Sequence, residues 1–144
     1  MKQFPLHPML VHFPIACWGL STMLDISSIV GNVEIFKMLA MYLNGFALIF
    51  LLPVLLAGAL ELKFENWDDV KAVSVLEKHV VLVLTASILY GSSFYWRLKF
   101  SSEGNYCSPS LYLSIIGFMV LMIGAHYGGT LVYRYGIGQR KNSN

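Results

Sequence analysis

Four apolar runs, at about residues 9–30, 35–60, 79–98 and 111–132, leave this chain few folds to choose from. Each is near the length of about 20 residues with which a helix crosses the hydrocarbon of a bilayer. In lipid a backbone N–H or C=O must find its partner inside the protein, so runs of this kind form helices. The connections between them are short enough to make neighbours antiparallel. The expected architecture is therefore all-α, a four-transmembrane-helix antiparallel up-down bundle, with residues 1–144 as one integral membrane domain. Composition supports this: with 56% of residues hydrophobic and only 12% charged, an ordinary soluble domain is excluded.

The lipid bilayer is thus the first expected partner. The ten basic residues are spread over loops and tail and form no polybasic cluster, so nucleic acid is not a partner. If both termini and the segment 61–78 share one face, that face carries seven Lys and Arg (Lys2, Lys63, Lys71, Lys78, Arg134, Arg140, Lys141), and the other carries three (Lys37, Arg97, Lys99). The positive-inside rule then sets the termini on the cytoplasmic side. Lys2 is the sole early charge, and Pro5, His7 and Pro8 interrupt the opening, so the first helix is expected to insert uncleaved.

Two prolines in the first eight residues predict an irregular lead-in, with His7 outside a helix. Asn44-Gly45 and Pro53 inside the second run mark a close helix contact or a kink. The segment 61–78 mixes acids and bases, and Asn66 or Asp68 could cap a short amphipathic helix lying at the interface or leading into the third span, with Trp67 as an interfacial anchor.

The chemistry-bearing residues are the histidines. His12 opens the first span and His79 the third, both running away from the terminal face, while His126 lies near the end of the fourth, which returns to it. His7 sits just above. His12, His79 and His126 are therefore expected near one level. One histidine at a helix end is ordinarily satisfied by backbone or water, but several at one level of a bundle point to a ligand set. Imidazole is a common axial ligand of haem iron, and two histidines from different helices suffice for a six-coordinate b-type haem. His79 with His126 is the favoured axial pair, His12 with His79 its competitor, and four histidines could hold two haems. Zinc or copper is the alternative for clustered neutral imidazoles. Small residues flank two of the rings: Ala16 and Gly19 share a stripe with His12, and Gly129 and Thr130 one with His126.

Other signals are weaker. Asp25 is the single acid within a span and could relay protons or answer a positive partner. Cys17 and Cys107 show no Cys-x-x-Cys-His, so neither a disulfide framework nor covalent haem attachment is indicated. No nucleophile with a base, no phosphate-binding glycine loop and no paired carboxylates occur, which argues against a hydrolase or transferase.

The opening His7-Pro8-Met9-Leu10-Val11-His12-Phe13-Pro14 and the ending Gly124-Ala125-His126-Tyr127-Gly128-Gly129-Thr130-Leu131-Val132-Tyr133-Arg134-Tyr135-Gly136 together resemble a family of small bacterial four-helix membrane proteins catalogued as a domain of unknown function. The resemblance implies that His7, His12, His79 and His126 are the family's histidines and that Asp25 matches an acid often present in its first span. Tyr135 stands where the family often has histidine, removing one ligand candidate, and Ala125 is a mild change in the glycine-flanked ending. Relatives joined to redox modules lean the resemblance toward electron transport. The expectation carried forward is a membrane-embedded cytochrome b-like protein, passing electrons between a quinone or a larger respiratory assembly and a redox partner, as a homo-oligomer or a subunit. The alternative is a non-redox structural or divalent-metal-binding membrane subunit.

Overall fold

A backbone that must satisfy itself in lipid stays helical until its polar groups can reach water. The computed structural model describes residues 6–64, 67–100 and 108–138, and every regular element in them is an α-helix: α1 (Leu6–Leu10), α2 (His12–Val30), α3 (Glu34–Phe64), α4 (Val70–Phe100) and α5 (Ser108–Tyr135). Four segments, Leu6–Val30, Glu34–Lys63, Val70–Phe100 and Pro109–Tyr135, are long and apolar enough to cross a membrane. The protein is a multi-pass membrane protein with an all-α, four-helix fold.

The helices reach further than the apolar runs. α4 starts nine residues before His79, at Val70, and α3 continues to Phe64, so most of the expected connection 61–78 is helix. Its charged residues mask this, yet a helix of 31 residues is about 46 Å long against about 30 Å of hydrocarbon, so charged turns project into the headgroups. The cap of α4 is Asp69, whose carboxylate accepts the Lys71 N–H at 2.8 Å and whose carbonyl accepts that of Val73 at 3.1 Å. Asp68 does not take this place, and Asn66 lies outside the described residues, as does Cys107. Trp67 donates Nε1–H to the Leu62 carbonyl at 3.0 Å and so closes the end of α3.

His7 is helical, contrary to the irregular lead-in expected for it. Pro8 falls in the first turn of α1, where its missing N–H would have had no helical acceptor. Pro14 cannot donate to the Leu10 carbonyl, and the chain makes one turn at Val11 before α2 begins. The Val11 N–H still reaches His7 O at 3.0 Å, and Ile15 N–H reaches Val11 O at 3.3 Å, so α1 and α2 follow one another closely.

α2 lies along α3 and α4 along α5, and the two hairpins close through α2 with α5 and α3 with α4. The core is built around Trp18 and Tyr90, both essentially without exposure, whose rings stack 4.6 Å apart at 4°. Asn44 explains the Asn-Gly pair inside α3: it accepts the Trp18 Nε1–H at 3.0 Å and donates to the Tyr90 carbonyl at 3.2 Å, while a Cβ on Gly45 would stand 3.0 Å from the Phe94 ring. One side chain thereby ties α3 to α2 and α4. Replacing Asn44 with leucine strands the indole N–H, and a loss of about 1–3 kcal/mol is expected in a detergent unfolding titration.

Polar contacts extend from this core toward the far face. The Tyr90 hydroxyl meets that of Thr22 at 2.8 Å, and Ser21 donates to the Ala40 carbonyl at 2.8 Å. Beyond them Arg97 forks onto Asp25, with Nη1 at 2.7 Å from Oδ1 and Nη2 on Oδ2. Arg97 Nη2 also donates to Ser114 Oγ at 3.0 Å, and Ser93 bridges to Ser114 at 2.9 Å and to the Ser110 carbonyl at 2.8 Å. Arg97 is 2% and Asp25 6% exposed. The acid of the first span has a positive partner, supplied by a residue whose sequence context reads only as a basic boundary.

Candidate functional site

The parallel helices α2 and α4 keep one register. Tyr90 reaches Trp18, and Arg97 reaches Asp25, at the same offset of 72 positions. Continued toward the terminal face, that offset brings residue 7 level with residue 79. His7 and His79 indeed face each other there, with ring centres 6.5 Å apart and ring planes at 89°.

Each imidazole is held from behind. His7 Nδ1 lies 3.0 Å from the Val54 carbonyl of α3, and its backbone N–H donates to Glu61 Oε1 at 2.9 Å. His79 Nδ1 lies 2.8 Å from the Gly124 carbonyl of α5. A carbonyl only accepts, so Nδ1 carries the hydrogen in both rings, and in a neutral imidazole the lone pair then sits on Nε2. Both histidines are thus oriented by a backbone acceptor on one nitrogen with the other available to a ligand, the arrangement that metal-binding imidazoles adopt.

Two glycines make the seats for these rings. A Cβ on Gly58 would come 3.0 Å from His7 Nδ1, and one on Gly128 would come 2.8 Å from His79 Cε1. Gly128 is the second glycine of the Gly124–Gly128 pair, so that small-x-x-x-small spacing accommodates an imidazole of the neighbouring helix. Gly58 and Glu61, by contrast, carry no signal in the sequence as site residues. Their role becomes visible only when α1 folds against α3.

The other two candidate histidines are placed differently. His126 is exposed on the membrane-facing side of α5, its ring contacting that of Tyr127 edge-on at 5.9 Å. The reason is helical phase: Gly124 and Gly128 both face α4, the first against Leu82 and Val83 and the second against the His79 ring, and a residue two positions from each lies about 200° away around the helix. His12 is also exposed, as are Phe13 and Ala16 on the same outer surface of α2. The structure brings together His7 and His79, and it brings neither His12 nor His126 to them. Among the described residues no three or more His, Cys, Asp or Glu side chains gather where they could hold a metal ion.

A family model described as predicted membrane protein (DUF2231) matches residues 3–141, nearly the whole chain. The chain belongs to the DUF2231 family. No curated protein and no solved structure matches it. Membership is consistent with the four membrane-spanning helices and brings no named activity.

Proposed function

We propose that this DUF2231 protein is a membrane-embedded b-type cytochrome, in which His7 and His79 would hold a haem near the face where α1 begins and α5 ends. The reading rests on the opposed pair. With ring centres 6.5 Å apart, the two imidazoles stand close enough that both would reach one iron, the chemistry for which histidine pairs from different helices serve. Their Nδ1 acceptors leave Nε2 free for ligation. The donor set also separates the cofactors: a structural zinc asks the protein for about four ligands, whereas a haem brings four nitrogens of its own and asks for two. Two histidines with no third donor among the described residues fit the haem better than zinc or copper.

When bound, the haem would supply one-electron transfer. The residues present would hold and orient it: the Val54 and Gly124 carbonyls fix the rings, Glu61 anchors the backbone of α1, and the surrounding helices limit water. The protein would then carry electrons within or beside a respiratory chain of a bacterial inner membrane, exchanging them with a quinone or a redox protein, with the termini cytoplasmic.

The test is the reduced-minus-oxidised spectrum of protein purified in detergent, in which a Soret shift and an α band are expected. A colourless preparation with stoichiometric zinc would replace this reading by metal binding, and a colourless, metal-free one by a structural role. A finer test uses Gly128→Ala. Its methyl would sit on the His79 ring, so lower haem occupancy or a shifted α band is expected, while Gly129→Ala, which meets only Tyr133 at 3.9 Å, should leave both unchanged.

A further inference from the structure

On the outer surface of α4 and α5, behind His79, a groove of about 440 Å³ is lined by Glu77, Lys78, Val81, Leu82, Ile123 and Tyr127. Its lining is graded. Glu77 and Lys78 lie seven and eight residues into α4, and since about five residues at each end of so long a helix extend past the hydrocarbon, this pair stands at the boundary between headgroups and acyl chains. Val81, Leu82 and Ile123 continue the groove into the apolar layer, and Val81 and Ile123 are largely exposed.

The charges at its mouth are unspent. Neither Glu77 nor Lys78 forms an ion pair among the described residues. Lys78 Nζ instead lies over the Tyr127 ring, 5.8 Å from its centre, which holds the ammonium beside the groove. An acid and a base side by side at headgroup depth, above an apolar channel directed at the bilayer centre, complement a zwitterion with a tail. A lone anion would meet Glu77, and a lone cation would meet Lys78.

We infer that this groove is a binding site for a zwitterionic phospholipid with a primary ammonium, phosphatidylethanolamine, its phosphate on Lys78, its ammonium on Glu77 and an acyl chain along Val81, Leu82 and Ile123. A primary ammonium can donate hydrogen bonds to Glu77, whereas the quaternary ammonium of phosphatidylcholine cannot. Phosphatidylglycerol offers the acid only neutral hydroxyl donors and brings no positive charge to balance it. The bound lipid would cover the outer side of the helix pair that carries His79, and the inference holds whatever the histidines bind.

Native mass spectrometry of the full chain, released from detergent in an equimolar mixture of phosphatidylethanolamine, phosphatidylcholine and phosphatidylglycerol, tests this. Phosphatidylethanolamine should be retained over each competitor by roughly fivefold, the factor that about 1 kcal/mol for one headgroup charge contact gives. Glu77→Lys should reverse the preference toward phosphatidylglycerol, and Lys78→Met should lower retention of both phosphatidylethanolamine and phosphatidylglycerol. Equal retention of the three lipids, retention of none, or an unchanged preference in a folded Glu77→Lys protein would overturn the assignment. Circular dichroism of each variant establishes that it is folded.

Discussion

His79→Ala is expected to remove the haem spectrum altogether, and His12→Ala and His126→Ala to leave it in place. The asymmetry follows from where the rings point. His79 is aimed into the bundle, tied to Gly124 and set against His7 across 6.5 Å. Removing it would take away one of the two proposed ligands together with the ring that meets Gly128. His126 lies at almost the same depth on a neighbouring helix, but its side chain is exposed to the membrane side of α5. His7→Ala should also abolish the six-coordinate spectrum. Because α1 is short and held to α3 by two hydrogen bonds of His7, five-coordinate haem at lowered occupancy is an acceptable outcome there. Pyridine haemochrome titration against protein concentration gives the occupancy, and the α band position gives the ligation. An intact spectrum in a folded His79→Ala protein would exclude this residue as a ligand, and its loss in His126→Ala with retention in His79→Ala would reverse the assignment.

Run length and apolarity fix the four spans and their alternation, because lipid leaves the backbone one solution. Depth is legible too: an up-down path places the amino-terminal histidines, His79 and His126 near one face. Rotation is not. A hydrophobic helix in lipid has no polar outer face to betray its phase, so small residues beside His12 and His126 are consistent with packing or with exposure, and only neighbouring helices decide. The register of α2 against α4 is decided by Trp18 on Tyr90 and Asp25 on Arg97, contacts separated by 72 positions. Those contacts in turn bring His7 to His79. Arg97 is illegible for a related reason: beside Tyr95, Trp96 and Lys99 it reads as the basic edge of a span, although it lies within α4 and is turned inward. A signal did exist in α2, where Trp18, Ser21, Thr22, Asp25 and Ser28 recur at helical spacing. That stripe is polar as well as buried, and it calls for a polar partner on the facing helix.

That partner supplies the second large effect. Asp25→Ala or Arg97→Ala is expected to destabilise the protein by about 3–5 kcal/mol, since each leaves an uncompensated charge inside the bundle. For Asp25→Ala the stranded guanidinium still has the Ser93 and Ser114 hydroxyls, at 3.3 and 3.0 Å. For Arg97→Ala the carboxylate loses both of its guanidinium donors. Arg97→Ala should therefore be the worse of the two. Deleting both charges by Asp25→Leu with Arg97→Met removes the need for compensation, and its cost should fall well below the sum of the single substitutions, because a buried pair recovers little more than its own desolvation. The exchange Asp25→Arg with Arg97→Asp should rescue only in part, since Ser93 and Ser114 then face a carboxylate that the longer arginine approaches from α2. Denaturation in mixed micelles followed by tryptophan fluorescence reports on this directly, because Trp18 lies two turns from Asp25 on the same buried face of α2. Additive single and double effects would show that the two charges do not act as a pair. A coupling of several kcal/mol would place the pair beside the Trp18–Tyr90 stack as the contact that sets α2 against α4, and through that register as the far-end determinant of where His7 meets His79.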